Sequence, residues 1–251
     1  MINRPFVLSI AGFDPSAGAG ILADIKTFEQ QETYGLGVCS AITFQDESYF
    51  EGVNWLDNKQ IIHQAKLLFD KYSIDFVKIG LIQSLQDLDE IISILLDWNP
   101  NLKIIWDPIL KASAGFDFHS EINAILLEKI LKKIYLITPN LPEVRQLIQG
   151  DFSDEEKALK LSKLCHVYLK GGHSENKFCK DILFFDNQTF HFKAGRIPNG
   201  EKHGSGCVLS SAITANLAKS LPIQQACENA KQYMNQILKS NPNLLAYHFQ
   251  A

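Results

Sequence analysis

The side chains of this sequence best suited to chemistry fall in short clusters, each placed beside a short apolar run. His203-Gly204-Ser205-Gly206-Cys207 opens an amphipathic stretch that carries Leu209, Ile213 and Leu217 on one face. Gly204 and Gly206 let the backbone turn tightly and approach a ligand closely. A helix starting there points free N–H groups back at the loop and attracts an anion, phosphate above all. Cys207 falls in the first turn, where the dipole favours a thiolate. A plain loop-to-helix turn with a buried cysteine has the same local pattern, so the other clusters must decide.

Asp107 follows the run Ile104-Ile105-Trp106, and Asn140 and Glu143 follow Ile137. Three oxygen donors at strand ends suit Mg²⁺, which keeps several waters and takes further ligands from phosphates. Asn140 and Glu143, three residues apart, also fit a helix N-cap with its capping-box partner. Lys170, before Gly171-Gly172, reads as a phosphate clamp or as a solvated lysine. Asp24 stands at the fourth helical position after Gly20, and Gln45 ends an apolar strand. A carboxylate and an amide facing one site could read the edge of a nitrogen heterocycle. Taken singly, Asp24 reads as a solvated first-turn acid and Gln45 as a strand-end amide bonded to nearby backbone.

No segment matches G-x-x-x-x-G-K-[ST], which removes the P-loop reading. Gly18-Ala19-Gly20-Ile21-Leu22-Ala23 matches G-x-G-x-x-A, the mark of an NAD-dependent oxidoreductase. Five residues separate it from Gly12 at the strand end, however, and Asp46, the nearest strand-end acid, comes too late for a ribose contact.

The elements that must hold these clusters alternate. Strands are expected over 6–11, 38–44, 76–79, 103–106, 135–137 and 167–169, with a hairpin of 182–185 and 189–193 around Asp186-Asn187-Gln188. Helices are expected over 20–31, 59–72, 84–98, 120–133, 141–149, 153–164, 206–219 and 223–240. Ser84 reads as an N-cap, and Ser153 with Glu156 as a capping box. This βα rhythm implies one α/β domain, a mostly parallel sheet covered by helices on both faces. Ligands then sit beyond the carboxyl ends of the strands, where the clusters lie.

The 251 residues carry a formal net charge of −4, with 46% hydrophobic and 21% charged side chains. That balance supplies a sizeable core and no global field for nucleic acid or an anionic membrane. No apolar run approaches the roughly 18 residues of a membrane span. The apolar segment 6–12 runs straight into Asp14-Pro15 and reads as a buried strand, not a signal peptide. Five cysteines with no C-x-x-C pair argue for reduced thiols and a cytoplasmic setting.

In order and spacing the motifs resemble the ribokinase-like superfamily and, within it, the hydroxymethylpyrimidine/phosphomethylpyrimidine kinase family of thiamin biosynthesis. The carrying segments are Ile10-Ala11-Gly12-Phe13-Asp14-Pro15-Ser16-Ala17-Gly18-Ala19-Gly20-Ile21, Ala41-Ile42-Thr43-Phe44-Gln45, Lys78-Ile79-Gly80-Leu81, Asp107-Pro108-Ile109-Leu110, Thr138-Pro139-Asn140-Leu141-Pro142-Glu143, Leu169-Lys170-Gly171-Gly172 and His203-Gly204-Ser205-Gly206-Cys207. The resemblance implies a three-layer α/β/α sandwich and an ATP- and Mg²⁺-dependent kinase. It implies two steps, phosphorylation of 4-amino-5-hydroxymethyl-2-methylpyrimidine and then of its monophosphate. It implies that Asp24 and Gln45, with Gly12, Leu81 and Ile109, bind the pyrimidine. Asp107, Thr138, Asn140, Glu143 and Lys170 would serve ATP, and Asp107, Asn140 and Glu143 the metal. Gly204, Ser205 and Gly206 would form the anion hole, with Cys207 as catalytic base. A homodimer is expected by the same analogy, and pyridoxal kinase is the rival reading. Three positions depart from the pattern: Ala17 where glycine is usual, Lys202 where threonine is common, and Lys111 two positions early.

Overall fold

A computed structural model describes residues 4–110, 122–172, 178–198 and 200–248. Lys111, and the first residues of the helix expected from 120, lie outside them. The strands are β1 (Phe6–Phe13), β2 (Tyr34–Gln45), β3 (Phe50–Trp55), β4 (Ile74–Ile79), β5 (Lys103–Trp106), β6 (Leu136–Ile137), β7 (His166–Leu169), β8 (Phe178–Phe185) and β9 (Gln188–Gly195). They form one sheet in the order β3-β2-β1-β4-β5-β6-β7-β8-β9. The central strands pair in parallel, while β3, β8 and β9 pair antiparallel at the two sides. The parallel strands carry continuous apolar runs because both sheet faces are covered.

The helices are α1 (Gly20–Gln30), α2 (Asn58–Phe69), α3 (Leu85–Trp98), α4 (Ala124–Leu131), α5 (Leu141–Leu147), α6 (Asp154–Leu161), α7 (Ser205–Ala218) and α8 (Ile223–Lys239). α1, α7 and α8 cover one face, and the other five helices the opposite face. The expected α/β/α sandwich is therefore present. Helix α7 is apolar or small on nearly every side and is buried from Cys207 to Leu217, so it forms the middle of its layer.

Local signals account for the ends. Ser84 accepts from the Asp87 amide, and Ser153 with Glu156 closes a capping box. The hairpin turn is Asp186-Asn187, both at positive φ, two residues where three were expected. Strand β2 starts four residues earlier than expected, and β3 was not expected at all. Gly35 and Gly37 hide the start of β2: side chains there would meet Ile25 and Ile21 of α1 at 2.9 and 2.8 Å, so glycine is what lets the helix lie close.

Candidate active site

The clusters meet at the carboxyl ends of β1, β4, β5 and β7, under the N-terminus of α7. Two loops interlock there. In the β1–α1 loop, Asp14 accepts from Ser16 N (2.9 Å), Ser16 Oγ (2.8 Å) and Ala19 N (2.8 Å). Its Oδ2 also lies 2.8 Å from Nε2 of His203. Burial alone would raise the Asp14 carboxyl, but these bonds hold it below the ordinary value. Gly204, the N-cap of α7, adopts φ +69°, and a Cβ there would stand 2.2 Å from the Gly18 carbonyl oxygen. Gly20, at φ +59°, fits equally tightly against the Gly12 carbonyl. Only glycine permits both approaches.

Beneath this contact lie two buried ion pairs, one on each side of α7. Lys170, at the end of β7, donates to Oδ1 of Asp107 at 2.7 Å. Thr138 (3.2 Å) and Ser210 of α7 (3.1 Å) donate to the same carboxylate. A side chain at Gly206 would meet the Lys170 ammonium at 3.3 Å, so this cation stands directly under the helix N-terminus. On the other side, Lys78 of β4 donates to both oxygens of Asp24, at 3.0 and 2.8 Å. Ser9 (2.6 Å) and Ser211 of α7 (2.7 Å) complete that carboxylate. Ser210 and Ser211, consecutive on one helix, thus each serve one pair.

Several expectations need correction. Asp24 and its partner Lys78 have no exposed side-chain surface, and Asp24 is fully bonded inside the protein. The structure does not bring it to a surface where it could read a ring, and it is not a solvated acid either. Lys170 is buried, not solvated. Asn140 and Glu143 form the capping box of α5, with bonds of 2.8 and 2.7 Å, so the Asn140 amide oxygen is already used. Asp107 is likewise committed to three internal donors. Cys207 is buried beside Asp24, Asp107 and Lys78. Burial pushes its thiol up to about 11, against the opposing effects of Lys78 and the Gly20 amide. The thiolate expected near neutral pH is therefore not the resting form.

Gly12, Leu81 and Ile109 do converge. A Cβ on Gly12 would stand 3.0 Å from Leu81 Cδ2, and one on Gly80 would stand 3.5 Å from Ile109 Cδ1. Gln45 lies at the end of β2, beside this apolar wall. Its amide nitrogen donates to Thr43 Oγ1 at 2.8 Å, and Thr43 donates to the Phe13 carbonyl.

Glu143 stands out electrostatically. Burial and the nearby Asp107 charge raise its carboxyl to about 7, although Lys170 lies 3.8 Å away. Two carboxylates share one ammonium, which leaves room for added positive charge. Among the described residues no group of three His, Cys, Asp or Glu could hold a metal unaided. That donor set suits an ion that brings water and phosphate ligands of its own. Asp14 and Lys78 stand in the segments that carry the resemblance but received no role from sequence, and Ser210 and Ser211 were not singled out. The available signal was a lysine inside the apolar run Phe76-Val77-Lys78-Ile79.

A helix N-terminus over buried lysines, at the carboxyl edge of a doubly wound sheet, is the kind of site that handles phosphoryl groups. Comparison with known proteins makes the assignment specific. Residues 14–251 match the family described as phosphomethylpyrimidine kinase, and the chain belongs to that family of phosphotransferases. It is 32% identical to the hydroxymethylpyrimidine/phosphomethylpyrimidine kinase of Aquifex aeolicus, over 94% of this chain and 95% of that one. It is also 32% identical to a bifunctional thiamine biosynthesis protein of Geobacter sulfurreducens, of which it spans 49%. Among solved structures it resembles Bacillus subtilis pyridoxal kinase in an ADP complex, with TM-score 0.84, 27% identity and coverage of 95% and 93%. Phosphomethylpyrimidine kinase from Clostridium difficile 630 gives TM-score 0.77, 32% identity and coverage of 93% and 99%.

Proposed function

We propose that this kinase transfers the γ-phosphoryl group of ATP to the hydroxymethyl group of 4-amino-5-hydroxymethyl-2-methylpyrimidine, and then phosphorylates that monophosphate to the diphosphate, in thiamin biosynthesis. The observation that carries this reading is the N-terminus of α7, held over Lys170 at the carboxyl edge of the sheet that also carries Gly12, Leu81 and Ile109. The relatives named for this activity support the substrate. ADP and ATP-analogue complexes of similar pyridoxal kinases support the donor.

In the transfer, the substrate oxygen attacks the γ-phosphorus and the bond to ADP breaks. In the transfer to the alcohol, the hydroxyl proton passes to Sγ of Cys207 in its thiolate form, which the resting thiol reaches by first giving its own proton to solvent. The Ser205 amide already donates to the Lys202 carbonyl, so the anion-hole donors are the amides of Gly206 and Cys207, and preorganised donors of this kind each contribute about 3–4 kcal/mol to lowering the barrier. Lys170 adds positive charge beside them, held by Asp107, which Thr138 and Ser210 hold in turn. Gln45 is the polar group suited to the ring edge. Glu143, whose Oε1 makes no hydrogen bond among the described residues, is the group best suited to hold Mg²⁺, through water or directly. The ion would neutralise charge on the β and γ phosphates.

All five cysteines are unpaired, which suits the reducing cytoplasm. No helix among the described residues is long and apolar enough to cross a membrane. Ile42 and Phe44, 45% and 46% exposed on β2 near the sheet edge, suit the surface of a homodimer. The test is an ADP-release assay with the pyrimidine alcohol, its monophosphate and pyridoxal side by side. The expected result is a higher kcat/KM for both pyrimidines. The likeness to a pyridoxal kinase keeps that reading as the alternative, and a preference for pyridoxal would establish it.

A further inference from the structure

The Asp24–Lys78 pair has no surface, touches no outside group and costs desolvation on both partners. Apolar side chains of similar volume commonly fill such a place at no loss of stability. Its position suggests another use. The pair lies where β4, α1 and α7 meet. Ser211, which donates to Asp24, stands one helical turn beyond Cys207, and the amide of Gly20 in α1 donates to the Cys207 sulfur. The Lys78 ammonium turns back over Gly80, where a Cβ would stand only 3.0 Å from Nζ. Four charged groups surround the sulfur: Lys78 from β4, Asp24 from α1, Asp107 after β5 and Lys170 after β7.

We propose that Lys78, fixed by Asp24, is a positioning residue for phosphoryl transfer: its buried ammonium is the counter-charge against which the Cys207 sulfur holds negative charge before it takes the substrate proton. This rests on the base role given to Cys207 above. Lys78 keeps its own protons throughout. The hydroxyl proton goes to sulfur and leaves to solvent when the thiolate is restored. Ser211 and Cys207, one turn apart on α7, bring the sulfur to the neighbourhood of the carboxylate that Lys78 also holds, and the Lys78 charge favours the thiolate there.

The test compares the wild type with Lys78→Met, Lys78→Arg and the double variant Asp24→Leu/Lys78→Met. In each protein the pH dependence of kcat, KM for ATP and thermal stability are measured. The Cys207 thiolate is also titrated by its ultraviolet absorbance, as the difference from Cys207→Ala. Lys78→Met is expected to lower kcat at neutral pH roughly tenfold or more, and to move the thiolate titration up by about one pH unit or more. KM for ATP is expected to stay within a few-fold. Lys78→Arg should restore the wild-type titration. The double variant should melt at or above the wild type and still titrate like Lys78→Met. A titration unmoved in Lys78→Met, or full activity in the stable double variant, overturns the inference. Should the wild type transfer no phosphoryl group to any of the three substrates, the proposed function falls instead, and the thiolate titration still decides the role of Lys78.

Discussion

Removing the Cys207 sulfur should separate rate from binding, because the sulfur acts on a proton and the surrounding amides act on phosphate. Cys207→Ala is expected to lower kcat by about 100- to 10,000-fold and to leave KM within a few-fold, measured by steady-state kinetics. With the thiol up at about 11, the basic form grows as pH rises. The kcat of the wild type should therefore climb from neutral into alkaline pH, and a flat profile would point to another base. Glu143 gives a second pH-dependent result. Its carboxyl titrates near 7 in the folded chain, above the ordinary 4.5. The folded state thus keeps a proton that the unfolded state has lost, and stability falls as pH rises from about 4.5 through 7. Glu143→Gln removes that penalty. Urea unfolding should show equal stability in acid and a gain of roughly 1–3 kcal/mol for the variant above pH 7. The spacing of Asn140 and Glu143 made their capping box legible in sequence. The bonds from Lys78 to Asp24 were not legible, since they join residues 54 apart, and no local pattern encodes that distance.

At the scale of elements, the β1–α1 loop stores strain at one residue. Ala17 adopts φ +57°, a left-handed conformation that costs an L side chain about 1–2 kcal/mol. This gives a physical reason for the glycine usual at that place. Ala17→Gly is expected to stabilise the protein by about 1 kcal/mol in chemical denaturation. Gly204→Ala should act in the opposite direction, since its Cβ would overlap the Gly18 carbonyl; it should lower the melting temperature and abolish transfer. Most strands and helices were readable from apolar periodicity and caps. Strand β3 escaped because Phe50-Glu51-Gly52-Val53-Asn54-Trp55 mixes glycine and polar residues, as an edge strand with one open side can. The early part of β2 escaped because its glycines answer to the helix packed on them, not to the strand.

For the whole molecule, the sequence marked the strand ends as the place of chemistry, while the order of the strands decides which ends meet. Placing β1 between β2 and β4 brings Gly12, Leu81 and Gln45 to one side. The path of α7 across the sheet then carries Cys207 between two ion pairs from different strands. The outer surface adds one prediction for the proposed homodimer: the wild type should sediment as a dimer and Phe44→Glu as a monomer, while a monomeric wild type would overturn the dimer and an unchanged dimeric mass in the variant would overturn this interface. The closed-in, protonated sulfur has a consequence for chemical survival. Peroxide and electrophilic poisons attack exposed thiolates, and Cys207 offers neither the exposure nor the charge. At rest, Cys207 should therefore react slowly with such reagents, and partly exposed Cys39 and Cys179 should be modified before it.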